Sequence, residues 1–225
     1  MLSKGSLQFL EDLKSNNNRD WFLAQKKRYE AYKKNYHELI GNFLDQIKPQ
    51  DSSLEMLQVK NCTFRINRDI RFSKDKSPYK THMGIWMNSN SNNANAPGYY
   101  IHIEKGASFI AGGLYSPEPN DLKKIRKEIA FFHEDLQEIL NQSDFKKYFG
   151  SFNRTETNQL KNAPKDFDKA HPAIEFLKLK SFTVSQKIQD QDLFSPNFVP
   201  DTVKKLMAVK PLIAFLNRGL HSEES

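Results

Sequence analysis

Residues 82–115, HMGIWMNSNSNNANAPGYYIHIEKGASFIAGGLY, decide the fold, because they contain three strand patterns in succession with no helical pattern between them. In the first pattern, apolar residues fall on alternate positions at Met83, Ile85 and Met87. The second opens at Gly98 and repeats the alternation at Tyr99, Ile101 and Ile103. The third, from Ser108 to Tyr115, contains Gly112 and Gly113, which indicate a bulge or a close backbone approach. Alternation with period two is typical of half-buried strands, and consecutive strands favour an antiparallel sheet.

Helical patterns lie on both sides of these strands. We expect helices over residues 6–15, from Asp20 to Pro49, and from Pro117–Asp121 through Ile139. A separate short helix should end at Gly150, and another should run from Pro172 to Leu179. The last helix should begin at Asp201, with an interruption at Pro211. Further strands are predicted at Ser181–Ile188 and, half-buried, at Gln58–Phe72. The sequence therefore predicts an α+β fold, an antiparallel sheet of about four to five strands covered by helices. We expect a single domain over residues 1–218 and a flexible C-terminal tail over residues 219–225.

Composition excludes several classes of protein. The single cysteine, Cys62, excludes an internal disulfide framework, and its apolar strand position predicts an inert core thiol. No apolar stretch approaches the roughly 20 residues needed to cross a bilayer. The opening MLSKGSLQFLEDLK lacks the apolar run of a signal peptide. We therefore expect a soluble cytoplasmic protein with no membrane partner.

A basic stretch, FRINRDIRFSKDKSPYKTH (residues 64–82), leads into the first strand. It carries six basic and two acidic residues, a net charge of +4 within the chain's +7. The basic residues, all candidate ligand-binding residues, are Arg65, Arg68, Arg71, Lys74, Lys76 and Lys80. Arginine suits phosphate or carboxylate because its planar fork binds either group through two hydrogen bonds. Asp69 and Asp75 stay ionised in this basic setting, and we interpret them as carboxylates that orient the arginines.

The shape of this stretch decides whether it can form one site. In a straight strand, six steps of about 3.3 Å separate Arg65 and Arg71 by roughly 20 Å, too far to bind one phosphate. A compact anion site therefore requires a bend, for which Asn67 and Asp69 are suitable turn residues.

A second set of candidates shares one predicted face of the sheet. If the first two strands of residues 82–115 pair as a hairpin, their outward residues meet: His82, Trp86, Tyr100, His102 and Glu104. The two histidines are candidate catalytic acids or bases near neutral pH. Trp86 and Tyr100 are candidates to stack a base or cover an aromatic ligand, and Glu104 is a third orienting carboxylate. The alternative is a structural network in which Asp69, Asp75 and Glu104 bind the arginines.

Other chemistries have no support in the sequence. No phosphate-binding glycine loop, dinucleotide fingerprint or pair of Cys or His at metal-ligand spacing is present, so we predict no metal and no cofactor. Tyr29, Tyr32 and Tyr36 recur at helical spacing, and we interpret them as facing the core rather than as a stacking surface.

The sequence resembles an uncharacterised family, domain of unknown function 2461, over about residues 5–218. The residues that carry the resemblance are the basic stretch, Gly98–Ile103, Gly112–Tyr115, Leu122–Arg126, Pro164–Pro172 and, near the N-terminus, Asn17–Phe22. The Asn-rich segment 88–97 is longer than the family pattern requires, and we expect it to be a flexible connection. The resemblance implies no established activity, substrate or catalytic residues.

Three functions follow from these residues. The leading hypothesis is a binding domain for an anionic, phosphate-containing small molecule or nucleic acid through the basic stretch. The second is an enzyme on a phosphate- or carboxylate-bearing substrate with His82 or His102 as general acid or base. The third is a structural interaction module without a ligand. The sequence leaves enzymatic activity and oligomeric state open.

Overall fold

The computed structural model describes residues 1–89 and 95–222, which form helices and one small sheet. The helices are α1 (Lys4–Ser15), α2 (Arg19–Ala24), α3 (Lys26–Ile47), α4 (Pro119–Phe131), α5 (His133–Asn141), α6 (Ser143–Tyr148), α7 (Ile174–Leu177), α8 (Phe198–Met207) and α9 (Lys210–His221). The strands are β1 (Met83–Asn88), β2 (Gly98–Ile103), β3 (Phe109–Leu114) and β4 (Phe182–Lys187). Short 3-10 helices cover Ser52–Leu54, Val59–Asn61 and Asp192–Phe194.

The strands form one antiparallel sheet in the order β1-β2-β3-β4, which confirms the predicted α+β class. The alternation in the sequence is reproduced in the burial, because the predicted inward residues of the first two strands are all buried: Met83, Ile85, Met87, Tyr99, Ile101 and Ile103. Phe182 and Val184 of β4 are also buried. Period-two patterning was therefore sufficient to place these strands and their faces.

The chain groups into two compact units, each built from separate stretches of sequence. The first contains Met1–Met87, Tyr100–Ile110 and Lys187–Val203. The second contains the described parts of Asn88–Tyr99, Ala111–Gln186 and Lys204–Ser225. In the first unit, α1 packs on α3, and in the second, α4 packs on α9. Every candidate site residue named above lies in the first unit, so the candidate site belongs to that unit alone.

The first helices differ from the prediction in one respect. Asn18, not Asp20, caps α2, because its side chain accepts a hydrogen bond from the backbone of Trp21, and Asp20 lies within the first turn. The helical stretch is then interrupted at Gln25 before α3 begins. Tyr32 and Tyr36 of α3 are buried and Tyr29 is half-buried, so the tyrosine stripe faces the core as predicted.

The later helices differ from the prediction in where one of them breaks and where another begins. The helix predicted through Ile139 is two helices, because Phe132 leaves helical geometry (φ −122°, ψ 41°) between α4 and α5. Asp201 lies in the first turn of α8 rather than at its cap. The predicted interruption near Pro211 is confirmed, since α9 starts at Lys210 with this proline in its first turn.

The predicted strand Gln58–Phe72 is wrong. The segment contains a 3-10 turn at Val59–Asn61 and only isolated bridges, at Thr63 to Ile85 and Asn67 to Tyr79. Phe72 is 95% exposed, so its place on the predicted apolar face is also wrong. The apolar alternation here does not reflect a buried face, because the basic stretch folds as a loop.

The Gly112–Gly113 pair does mark a close backbone approach. Gly113 has φ of +118°, and a Cβ built on it would lie 2.0 Å from the backbone oxygen of Phe182. Only glycine fits this position, because both the backbone conformation and the neighbouring strand exclude a side chain.

The Asn-rich segment 88–97 and the predicted tail 219–225 are each described only in part. The Asn-rich connection is covered only in part, since residues 90–94 lie outside the described residues. Within the predicted tail, residues 219–221 form the last turn of α9, and residues 223–225 lie outside the described residues. Among the helices that the structure describes, none is long and apolar enough to cross a membrane.

Candidate functional site

The basic stretch, residues 64–82, forms a closed loop that we call the basic loop. The chain reverses inside it, so that the Arg68 amide donates to the Pro78 carbonyl (2.9 Å) and the Lys80 amide donates to the Ile66 carbonyl (2.8 Å). The reversal therefore lies between Arg68 and Pro78, and Asn67, where a bend was predicted, forms an antiparallel bridge with Tyr79. The loop is held in place by Phe22 of α2, whose ring stacks on that of Tyr79 with centroids 4.0 Å apart.

Two of the three arginines are bound by the loop's own acids. Arg68 pairs with Asp75 at 2.5 Å and also donates to the Ser77 carbonyl at 3.0 Å. Arg71 pairs with Asp69 at 2.6 Å. Hydrogen bonds from the hydroxyl and backbone amide of Ser77, followed by that from Arg68, lower the pKa of Asp75 to about 2. These pairs are the salt-bridge network expected for a structural module.

Arg71, Lys74 and Lys76, at the tip of the loop, are not among the residues that line the cleft beside Lys80. Lys76 donates to the Ile70 carbonyl (3.0 Å), and the Arg71 guanidinium lies 5.8 Å from the ring centroid of the exposed Phe72. Lys74 is exposed. The structure therefore does not bring Arg71, Lys74 and Lys76 into one site with the remaining cations.

Lys80 and Arg65 form a different kind of pair. The Lys80 ammonium donates to the Arg65 carbonyl at 2.8 Å and lies 5.3 Å from the ring centroid of Phe64. Within residues 1–89 and 95–222, neither side chain has a carboxylate within 4.0 Å. Burial and the positive charge of Arg65 lower the pKa of Lys80, as expected for an ammonium without a counter-ion.

Lys80 lines a cleft of about 510 Å³ in the first unit. The residues around it with an acidic or basic side chain are Lys14, Arg68, Asp69, Asp75, Lys80 and His82. A second cleft of about 500 Å³ shares Lys14 and Thr81 with the first and includes Glu104 and Lys105. The two clefts therefore meet at Lys14, with the basic loop on one side and the end of β2 on the other.

The predicted histidine face is present beside these clefts. The rings of His82 and His102 stack with centroids 4.4 Å apart. His102 contacts the Tyr100 hydroxyl through Nδ1 (3.1 Å) and the Glu104 carboxylate through Nε2 (3.2 Å). Glu104 in turn accepts a hydrogen bond from Lys14 at 3.0 Å. One nitrogen each from His82 and His102 and one oxygen from Glu104 lie within 4.8 Å of one another, so these three residues of the predicted face do meet.

The protonation of His82 follows from its surroundings. Burial, then the neighbouring His102, lower its pKa to about 4, against an opposing contribution from Glu104. His82 is therefore neutral at neutral pH, which suits a proton acceptor and not a proton donor.

The aromatic residues of this face are partly covered. Phe64 packs edge-on to Tyr100 with centroids 6.3 Å apart, and Phe109 lies on the other side at 5.8 Å. Burial raises the pKa of Tyr100 to about 12. The indole nitrogen of Trp86 is buried and has no hydrogen-bond partner among the described residues. The rings of Trp86 and Tyr100 therefore line this face but leave little open surface on which a ligand could stack.

Sequence reasoning missed two residues that build the site, Lys14 and Tyr36. Lys14, at the end of α1, reaches Glu104 across 90 positions of sequence. Tyr36 donates to the Gly84 carbonyl and accepts from the Phe64 amide (3.1 Å), which ties α3 to both β1 and the basic loop. These contacts are long-range, and periodicity within a helix carries no signal for them.

Fold and site together define an α+β protein with a basic loop and a cationic cleft next to a His-His-Glu cluster. The chain belongs to the family described as conserved hypothetical protein (DUF2461), whose model matches residues 5–215, and this confirms the resemblance. Comparisons with curated proteins and with solved structures gave no match.

Proposed function

We propose that this protein binds a phosphate-containing small molecule in the cleft beside Lys80. One observation carries the proposal: Lys80 and Arg65 are neighbouring cations with no carboxylate within 4.0 Å in the described chain, and Lys80 lines a concave surface. A bound dianion would supply the missing counter-charge.

The donor geometry supports this function. An ammonium has three donors, and the Arg65 carbonyl takes one of those on Lys80. Two remain for charge-assisted hydrogen bonds to an anion, which are roughly twice as strong as neutral ones. Lys14, at the edge of the same cleft, is already paired with Glu104 at 3.0 Å, so Lys80 is the main donor to the anion.

The distribution of charge favours a small ligand over nucleic acid. Arg68 and Arg71 are neutralised by Asp75 and Asp69, so the loop does not present a continuous row of free cations to a phosphate backbone. A cleft of about 510 Å³ is within the range that holds a small molecule. We place this activity in the cytoplasm, since the single cysteine fits a reducing compartment.

Calorimetric titration with inorganic phosphate tests the proposal, with a single-stranded oligonucleotide as a second probe at about 50 and about 200 mM salt. We expect phosphate binding that Lys80→Ala weakens at least about tenfold, with a smaller loss for Arg65→Ala. Lys33→Ala and Lys34→Ala on the exposed face of α3 are matched controls and should change nothing. Phosphate binding unaffected by Lys80→Ala contradicts the proposal, and steeply salt-dependent oligonucleotide binding without phosphate binding replaces it with nucleic-acid recognition.

A second candidate function is chemistry on such a ligand. The observation that favours it is that His82, neutral at neutral pH, lines the same cleft as Lys80 and Arg68. A neutral imidazole beside a bound anion is placed to accept a proton from an attacking water. Hydrolysis of p-nitrophenyl phosphate should then fall at least about 100-fold in His82→Ala. No hydrolysis above that of buffer removes this candidate and leaves binding as the function.

A further inference from the structure

The geometry points to a site for a divalent transition-metal ion formed by His82, His102 and Glu104. The ligand atoms of these residues lie within 4.8 Å of one another, and they come from two places in the chain that β1 and β2 bring together. This inference concerns an ion and does not depend on the binding of phosphate proposed above.

Small adjustments would bring the three groups to coordination distance. Metal bonds to histidine nitrogen and carboxylate oxygen are about 2.0–2.2 Å long, which places ligand atoms of one ion roughly 3–4 Å apart. His102 Nε2 and the nearest Glu104 oxygen are already 3.2 Å apart. The His82 ring stacks on that of His102 at 4.4 Å, so a rotation of the His82 side chain completes the set.

Neighbouring hydrogen bonds leave the correct atoms available. The Tyr100 hydroxyl occupies Nδ1 of His102 at 3.1 Å, which leaves Nε2 for the metal. Lys14 occupies one oxygen of Glu104, Oε1, and leaves Oε2 facing His102. Partners of this kind fix the orientation of metal ligands in known sites. No hydrogen bond to a ring nitrogen of His82 is present in the described part of the chain, so that side chain has no competing partner.

The ligand set indicates which ions fit. Two imidazoles and one carboxylate suit zinc, manganese or ferrous iron, whereas calcium and magnesium prefer oxygen ligands only. Three protein ligands leave further coordination positions open, as in sites that carry out chemistry rather than purely structural ones. His82 borders one cleft and Glu104 the other, so these positions face a concave surface that a ligand can reach.

His82 and His102 would have a different role in a metal site from the one predicted for them. The sequence predicted His82 and His102 as acid–base groups and offered no metal-ligand spacing, because the ligands are twenty residues apart and meet only through strand pairing. As metal ligands, their ring nitrogens would not be free to accept protons. The metal site and the general-base role of His82 are therefore mutually exclusive.

Metal binding by the full-length chain tests the inference. After treatment with a chelator, the protein should bind zinc or manganese at a ratio of one ion per chain in calorimetry, and cobalt should give visible absorption bands. His82→Gln and His102→Gln should each weaken binding at least about 100-fold, while His37→Gln on the exposed face of α3 should leave it unchanged. Circular dichroism checks that each variant folds.

A measurement on the unmodified chain guards against variants that fail to fold. In a long-range nitrogen–proton spectrum, zinc should shift the ring nitrogens of His82 and His102 and leave those of His37 and His221 in place. Stoichiometric binding with these shifts supports the site. Absence of one-to-one binding, or shifts confined to His37 and His221, overturns it.

Discussion

The side-chain amide of Asn17 pairs with the backbone of Tyr79 in both directions. Its Nδ2 donates to the Tyr79 carbonyl at 2.9 Å, and its Oδ1 accepts from the Tyr79 amide at 3.0 Å. A side chain that follows α1 thus pairs with the basic loop as a neighbouring strand would, across 62 positions of sequence. Together with the stacking of Phe22 on Tyr79, this contact holds Lys80 and His82 in place.

Asn17→Ala should destabilise the fold by about 1–3 kcal/mol, because it leaves two backbone groups of Tyr79 without partners. Asn42→Ala is a matched control, since Asn42 lies on the exposed face of α3 and should change the free energy of unfolding by less than about 0.5 kcal/mol. Urea denaturation of both variants measures the difference. Equal stability of the two would show that the Asn17 contact does not hold the loop.

The Asp75 carboxyl should titrate near its shifted pKa of about 2 in carbon-detected NMR. Because the folded pKa lies below the unfolded value, the contribution of Asp75 to stability is complete above about pH 4 and is lost as the pH falls through about 2. Arg68→Ala should move the midpoint upward, while Arg71→Ala, which removes the partner of Asp69, should not. If the titration midpoint of Asp75 is the same in Arg68→Ala, the ion pair between Arg68 and Asp75 is not maintained in solution.

Cys62 should resist thiol reagents in the folded protein. Its side chain is 0% exposed, and burial raises the pKa of the thiol to about 12. Reaction with a chromogenic disulfide at about pH 8 should be at least about 100-fold slower than in denaturant, because the thiolate is both scarce and inaccessible. Since the chain has one cysteine, the signal is unambiguous. Rapid reaction of the folded protein would contradict this burial.

Gly113→Ala should cost at least about 3 kcal/mol or prevent folding, since the added methyl would meet the Phe182 carbonyl at 2.0 Å. Gly41→Ala is the matched control: Gly41 lies within α3 with no atom within 4 Å of an added Cβ. That substitution should stabilise the helix by up to about 1 kcal/mol. Thermal unfolding distinguishes the two. A tolerated Gly113→Ala would show that β3 and β4 do not approach this closely.

The sequence predicted elements whose pattern is local. The alternation in β1 and β2 placed the strands and identified the face that carries His82, His102 and Glu104. The same argument failed for Gln58–Phe72, where apolar residues alternate but the segment forms only isolated bridges, one of them from Thr63 to Ile85 of β1. The break at Phe132 was also missed, because apolar spacing continues through it from Ile129 to Leu136.

The candidate site was predictable only in part. The length of a strand predicted a bend near Asn67, but the loop reverses between Arg68 and Pro78, and Asn67 itself bridges to Tyr79. The sequence did not predict which cations of the loop are paired with acids, because that depends on which acid each arginine reaches once the loop has closed. The contributions of Lys14 and Asn17 come from distant parts of the chain and depend on tertiary packing.

The most direct test of the proposed phosphate site is a crystal structure of the protein grown in phosphate. We predict an ordered phosphate in the cleft, within hydrogen-bond distance of the Lys80 ammonium and near Arg65. The same crystals of Lys80→Ala should show no anion there. An empty cleft in the unmodified protein, with phosphate only at exposed residues such as Arg71 and Lys74, would contradict the central claim.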